Sequence, residues 1–239
     1  MLLLGIDIGT SSIKVSVVNA QTQLCVASAQ YPETESPVIA RQPGWAEQAP
    51  DMWWQHAQQA ILKAHATKKY DPADIAAIGI AYQMHGLVCV DKDQQVLRDS
   101  IIWCDSRAVE IGNKAFDTIG HERCLSHLLN SPGNFTASKL AWVKENEPDI
   151  FNKIDKIMLP GDFIAMKLTG QINSSISSLS EGVFWDFETN SLSEDVFNHY
   201  QLGKNLIPTI NPVFSEHGKL TAAIAESLSQ CTCSQRLRL

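Results

Sequence analysis

The chain has 239 residues, 44% of them hydrophobic and 19% charged, and its 19 basic against 26 acidic side chains give a formal charge of −7. That length can bury a substantial core as one large domain or two small ones, and an acidic balance with no basic run argues against a polynucleotide partner. No stretch approaches the roughly 18 consecutive apolar residues of a membrane span, and "MLLLGIDIGT" lacks the basic region of a secretory signal. A cytoplasmic location without a membrane partner is therefore expected.

In chain order, "LLLGIDI" is a continuous apolar run, suited to a strand covered on both faces. "SSIKVSVVN" alternates, with Ile13, Val15 and Val17 on one face and Ser12, Lys14 and Ser16 on the other, and "LCVASAQY" is a third strand. Only a Gly-Thr-Ser turn separates the first two, which predicts an antiparallel hairpin. A linker with Pro32, Pro37 and Pro43 leads into the helix "PDMWWQHAQQAILKAHA", with Asp51 as its expected N-cap and Trp53, Ala57, Ala60, Ile61 and Ala64 on one face. "IAAIGIAY" reads as a buried strand, and "GLVCVDKDQQVLRD" as two strands around an Asp-Lys-Asp turn. "SIIWCDSRAVEIG" passes from strand to helix with its charges at the junction.

Further on, "TASKLAWVKENEP" predicts an amphipathic helix stopped by Pro148, and Trp142 joins Trp53 and Trp54 as a core residue. "KIMLPGDFIAMKLTG" reads as a strand end, a turn and a helix closed by Gly170, with Asp162 as its capping acid. "HGKLTAAIAESLSQ" looks helical, whereas "CTCSQRLRL" has neither amphipathic order nor a cap. The reading is one α/β lobe over residues 1–225 followed by an irregular, truncated tail over 226–239. Cys25, Cys89, Cys104 and Cys124 are expected to act as small buried or half-buried hydrophobes. Cys231 and Cys233 have no partner at zinc spacing.

Asp7 stands where packing alone would favour Val or Ile. Small residues in a tight turn let an anion approach, and the amides and hydroxyls of Thr10, Ser11 and Ser12 can cradle phosphate oxygens. A carboxylate just before the turn would repel that anion unless a cation sits between them. Mg²⁺ meets that need, because it bridges carboxylate and phosphate oxygens and keeps most of its waters. The competing reading is a hairpin with ordinary polar turn residues.

Six segments extend the pattern in a fixed order. "GIDIGTSSIK", "QPGWAEQAPDMWW", "GIAYQMHGLVCVD", "IIWCDSRA", "TASKLAWVKENEP" and "IMLPGDFIAMKLTG" together resemble the N-terminal lobe of the FGGY carbohydrate kinases, xylulokinases in particular. The resemblance implies an actin-like, ribonuclease H-like fold with a mixed central sheet flanked by helices, two lobes closing over ATP and a sugar, and transfer of the γ-phosphoryl to a sugar hydroxyl. It implies ATP and Mg²⁺ as cofactors. It also gives Asp7 the role of catalytic, metal-organising aspartate, and Thr10, Ser11, Ser12 and Lys14 that of phosphate contacts. Met84 and His85 fall where xylulokinases meet the ketose, and Asp105 and Arg107 near the sugar pocket.

D-xylulose is the expected substrate, with gluconate as the second possibility and a homodimer as a common family state. The resemblance implies that the family's catalytic base and adenosine pocket lie beyond the segment matched here, in a C-terminal nucleotide-binding lobe expected to be absent from these 239 residues. Little kinase turnover is expected of the polypeptide alone, and a non-catalytic, truncated sugar-binding product is the alternative. A nuclease of the same fold would need converging carboxylates that Asp7 does not have.

Overall fold

The structure, a computed structural model, describes residues 1–229 and 236–238. In chain order the strands are β1 (Leu2–Ile8), β2 (Ile13–Asn19), β3 (Cys25–Tyr31), β4 (Glu47–Gln48), β5 (Ile75–Tyr82), β6 (Val88–Val90), β7 (Ser100–Ile101), β8 (Lys156–Met158), β9 (Asn173–Ser174), β10 (Trp185–Asp186), β11 (Ser191–Leu192), β12 (Thr209–Ile210), β13 (Glu216–Lys219) and β14 (Arg236–Arg238). The helices are α1 (Pro50–His65), α2 (Val109–Ile119), α3 (His121–His127), α4 (Thr136–Asn146), α5 (Pro148–Phe151), α6 (Pro160–Thr169), α7 (Ile176–Glu181), α8 (Glu194–Tyr200) and α9 (Ala222–Ser229).

The main sheet has the order β13-β14-β5-β1-β2-β3. β1 and β2 form the expected antiparallel hairpin with Asp7 opposite Lys14, while β1 and β5 run parallel with Asp7 beside Ala81. One face of the sheet is packed. Leu2, Leu4, Ile6 and Ile8 of β1 and Ile13, Val15 and Val17 of β2 join Trp53, Ala57, Ala60, Ile61 and Ala64 of α1 in one core, which also takes in Phe163, Ile164 and Leu168 of α6. The other face is open, because Gly5, Asp7, Lys14, Gly79 and Ala81 are exposed. β1, expected to be covered on both faces, and β5, expected to be buried, are therefore each covered on one face only. Along β1 burial alternates residue by residue, as a half-buried strand requires, while β5 alternates only from Ile78 onward.

A second core gathers Leu87, Cys89 and Ile101 with Leu140 and Val143 of α4 and Phe184, Val196 and Phe197. α4 is buried all round over Thr136–Ala141, so it is a core helix there and not the amphipathic one its charges suggested. It ends before Pro148, where a proline stops a helix. α1 starts at Pro50 with Ala49 at the N-cap, so Asp51 lies in the first turn, where it faces the helix dipole and pairs with Lys167 at 3.2 Å. α6 closes at Gly170, whose φ of 70° is the left-handed value that favours glycine.

Three further expectations change. The second strand after the Asp-Lys-Asp turn reduces to a bridge between Val90 and Val96, and β6 pairs with β8 instead. "HGKL" contributes strand β13 before α9 begins. The tail expected to be irregular from residue 226 continues α9 through Ser229, and Arg236–Arg238 pairs with both β5 and β13. Cys89 and Cys124 are buried as expected, while Cys25 and Cys104 are exposed. Cys231 and Cys233 lie outside the described residues. Among the described residues no helix is long and apolar enough to cross a membrane.

Candidate active site

The β1–β2 turn, residues 9–12, is braced from below. Gln48 donates to the Thr10 carbonyl at 2.8 Å, and its own oxygen receives the Trp53 indole N–H at 3.0 Å and the Gln83 amide at 3.1 Å. Thr10 Oγ1 donates to Gln83 Oε1 at 3.1 Å and receives the Trp103 indole N–H at 2.9 Å. Ser36 N–H donates to the Ser11 carbonyl at 2.7 Å. Gly9 is required by close approach, since a Cβ there would stand 2.8 Å from the Ser12 carbonyl. The turn is thus rigid before any ligand arrives, and its Thr10–Gln83 link ties it to the segment that carries Met84 and His85.

Asp7 lies on the open sheet face in a groove of about 480 Å³ lined also by Lys14, Ser16, Gly79 and Ala81. Among the described residues no three His, Cys, Asp or Glu side chains gather as a metal cluster. A lone exposed carboxylate beside a hydroxyl-bearing turn nevertheless fits Mg²⁺ held largely by water and phosphate oxygens. A second hollow of about 490 Å³, lined by Arg41, Glu47, Arg98, Asp99 and Glu147, has none of the predicted site residues in its wall, although Arg107 bonds its Glu47 from behind. Its charges are paired among themselves, with Arg98 bonding Glu47 at 2.6 Å and Glu147 at 2.7 Å.

His85 adopts a φ of 60°, a region that non-glycine residues seldom visit. Its N–H donates to Glu181 Oε1 at 2.5 Å, and its carbonyl accepts from the buried Lys139 ammonium at 2.8 Å. Lys139 also reaches the Ile102 carbonyl at 3.0 Å, next to the half-exposed Trp103. The His85 ring packs edge-on against Phe135 at 4.4 Å. Its Nδ1 stands 3.6 Å from Glu181, too far for a hydrogen bond, and is buried without a hydrogen-bond partner among the described residues. Burial, and then the Lys139 charge, push the imidazole down to about 4, so it is neutral near pH 7. Burial likewise lowers Lys139 to about 8, against the pull of Asp105, and raises Glu181.

Asp105 and Arg107 are turned away from open space. Arg107 donates to Asp105 at 2.7 Å and to Glu47 at 2.8 Å, its guanidinium lies 3.8 Å from the centre of the Trp45 ring, and the paired side chains are 0% and 1% exposed. Neither offers surface to a sugar. Lys139, Glu181 and Gln83 escaped the sequence reading because nothing local marks them, and their partners lie 54, 96 and 35 or more residues away. Asp162 is a second surprise. It caps α6 from its third position, reaching the Leu159 N–H at 3.5 Å, yet it is fully buried, accepts from Ser174 at 2.8 Å, and is raised to about 7 by burial.

With this geometry in place, likeness to known proteins becomes informative. Xylulose kinase from Escherichia coli K12 is 33% identical over 233 residues, covering 96% of this chain and 46% of that protein. Xylulose kinase from Bacillus subtilis is 30% identical over 213 residues, covering 87% of this chain and 41% of that protein. The chain spans about half the length of the curated relatives it matches. The crystal structure of a xyloylose kinase from Brucella ovis superposes with a TM-score of 0.87 at 31% identity, over 100% of this chain and 48% of that one. The fold is therefore that of one actin-like kinase lobe. Residues 2–231 match the N-terminal domain of the FGGY family of carbohydrate kinases, and the chain belongs to that family.

Proposed function

We propose that this chain is the sugar-binding half of an ATP-dependent kinase that phosphorylates a hydroxyl of a ketopentose, with xylulose the first substrate to test. The observation that carries the reading is the His85 ring, neutral near pH 7 and without a hydrogen-bond partner at Nδ1 among the described residues, on a segment tied to the hydroxyl-bearing turn. A neutral imidazole offers one donor and one acceptor, which suits a polyol.

In this reading Met84 and His85 meet the sugar and the exposed indole of Trp103 offers it an apolar face. Thr10, Ser11, Ser12 and the turn amides receive phosphate oxygens, and Lys14 adds a positive charge. Asp7 holds Mg²⁺, which when bound shields the phosphate charge. Asp105 and Arg107 support the pocket from behind without touching the substrate. Xylulose kinases among the relatives point the same way.

Thermal unfolding of the 239-residue chain with D-xylulose, L-xylulose, D-ribulose, gluconate and glycerol tests the reading. D-xylulose is expected to raise the Tm most, and His85→Ala to abolish the shift. A largest shift with glycerol would overturn the pocket assignment.

A further inference from the structure

The His85 peptide is held from both sides by opposite charges, the buried Lys139 and the half-buried Glu181. Glu181 accepts its N–H at 2.5 Å and Lys139 donates to its carbonyl at 2.8 Å. These charge-assisted bonds, each stronger than a neutral one, offset a left-handed backbone that His would not choose alone. Both Lys139 hydrogen bonds go to backbone carbonyls, of His85 and Ile102, and its side chain is fully buried. Glu181 differs. Its side chain is 25% exposed, and only one of its oxygens has a hydrogen-bond partner among the described residues.

Resting on the sugar-kinase reading above, we propose that Glu181 sets the charge class of the substrate. Its carboxylate fixes His85 through Oε1, which accepts the backbone N–H and stands 3.6 Å from the imidazole Nδ1, and leaves the other oxygen without a hydrogen-bond partner among the described residues, so the pocket takes an uncharged ketose or polyol and rejects a sugar acid. The neutral ring supplies no cation for a substrate carboxylate, and Lys139 is sealed behind it. A sugar hydroxyl can donate to the open Glu181 oxygen, whereas a carboxylate there meets like charge in a partly desolvated place, where repulsion is strong. Removing the Glu181 charge also takes away one of the negative groups that face the buried Lys139, leaving Asp105, which tilts the pocket toward anions.

The test is NMR titration of the 239-residue chain with D-xylulose and with gluconate, read at the His85 ring and amide signals, in wild type, Glu181→Gln and Glu181→Asp. Wild type should respond to D-xylulose and hardly to gluconate. Glu181→Gln should improve gluconate affinity relative to D-xylulose by about tenfold, while Glu181→Asp, which keeps the charge, should still exclude gluconate. The His85 amide proton should lie at low field in wild type and move upfield in Glu181→Gln, which reports the backbone bond independently of any ligand. An unchanged affinity ratio in Glu181→Gln overturns the inference and leaves the kinase reading standing. A wild-type His85 that responds to neither sugar overturns both.

Discussion

Two kinds of residue meet at this site, those that face open space and those that hold them. Asp7, Met84 and Trp103 are exposed, whereas Asp105, Arg107 and Lys139 are buried and satisfied by fixed partners. The distinction has an energetic consequence for Arg107, which neutralises Asp105 and Glu47 together while lying against Trp45 and Trp142. Arg107→Ala leaves the buried Asp105 without its cation, while Glu47 keeps Arg98, and is expected to cost about 3–5 kcal/mol of stability. Arg107→Lys recovers only part of this, because an ammonium cannot reproduce the planar fork. Urea unfolding measures both, and a loss below about 1 kcal/mol in Arg107→Ala would mean that the network is not structural. Asp7 stood out in the sequence because it breaks a local pattern, a charge inside an apolar run, whereas His85 was nominated by the family resemblance of its segment. Arg107 was legible as a charge near the site, but only its neighbours reveal that it points inward.

Helices and strands set the orientation of these residues. β1 presents alternate side chains to the two faces of the sheet, so burying Leu4, Ile6 and Ile8 necessarily puts Asp7 on the open side. α7 brings Glu181 to His85, and α7 and the preceding β9 are tied to α6 through Asp162, which accepts from Ser178 and Ser174. The Tyr82 hydroxyl joins the same group at 2.9 Å from Ser178. Asp162 makes this junction sensitive to pH. Its folded value of about 7 lies above the ordinary 3.8, so between pH 4 and 7 the folded state keeps a proton that the unfolded state has released. Stability from this group is therefore full below pH 4 and falls as the pH rises through 7. Asp162→Asn keeps an acceptor without the charge, so it should gain on wild type across that window, by on the order of 3 kcal/mol at pH 8. Urea midpoints at pH 5 and pH 8 compare the two proteins, and a constant difference between the pH values would exclude Asp162 as the titrating group.

At the scale of the whole molecule, the packed sheet face and the second core make a stable frame, while the face with Asp7 and Lys14 stays open to solvent. Phosphoryl transfer depends on positioned charge in a site that excludes water. An open face supplies the first requirement and not the second. The isolated 239 residues are accordingly expected to bind sugar but to give little or no sugar-dependent ATP hydrolysis, measured by coupled ADP release. Robust turnover by the purified chain would show that the open face closes in some other way.

The sequence by itself determined the hairpin, the long helix α1 and the glycine-closed α6, and it singled out Asp7 as a charge inside an apolar strand. These rest on short-range rules of alternation, helical spacing and turn chemistry that the chain obeys locally. Only the tertiary structure decided that β1 and β5 are covered on one side, that α4 is buried all round, and that Asp105 and Arg107 serve each other. It alone brought Lys139 and Glu181 to the two ends of one peptide. Desolvation and ion pairing depend on which distant segments meet, and no local pattern records that.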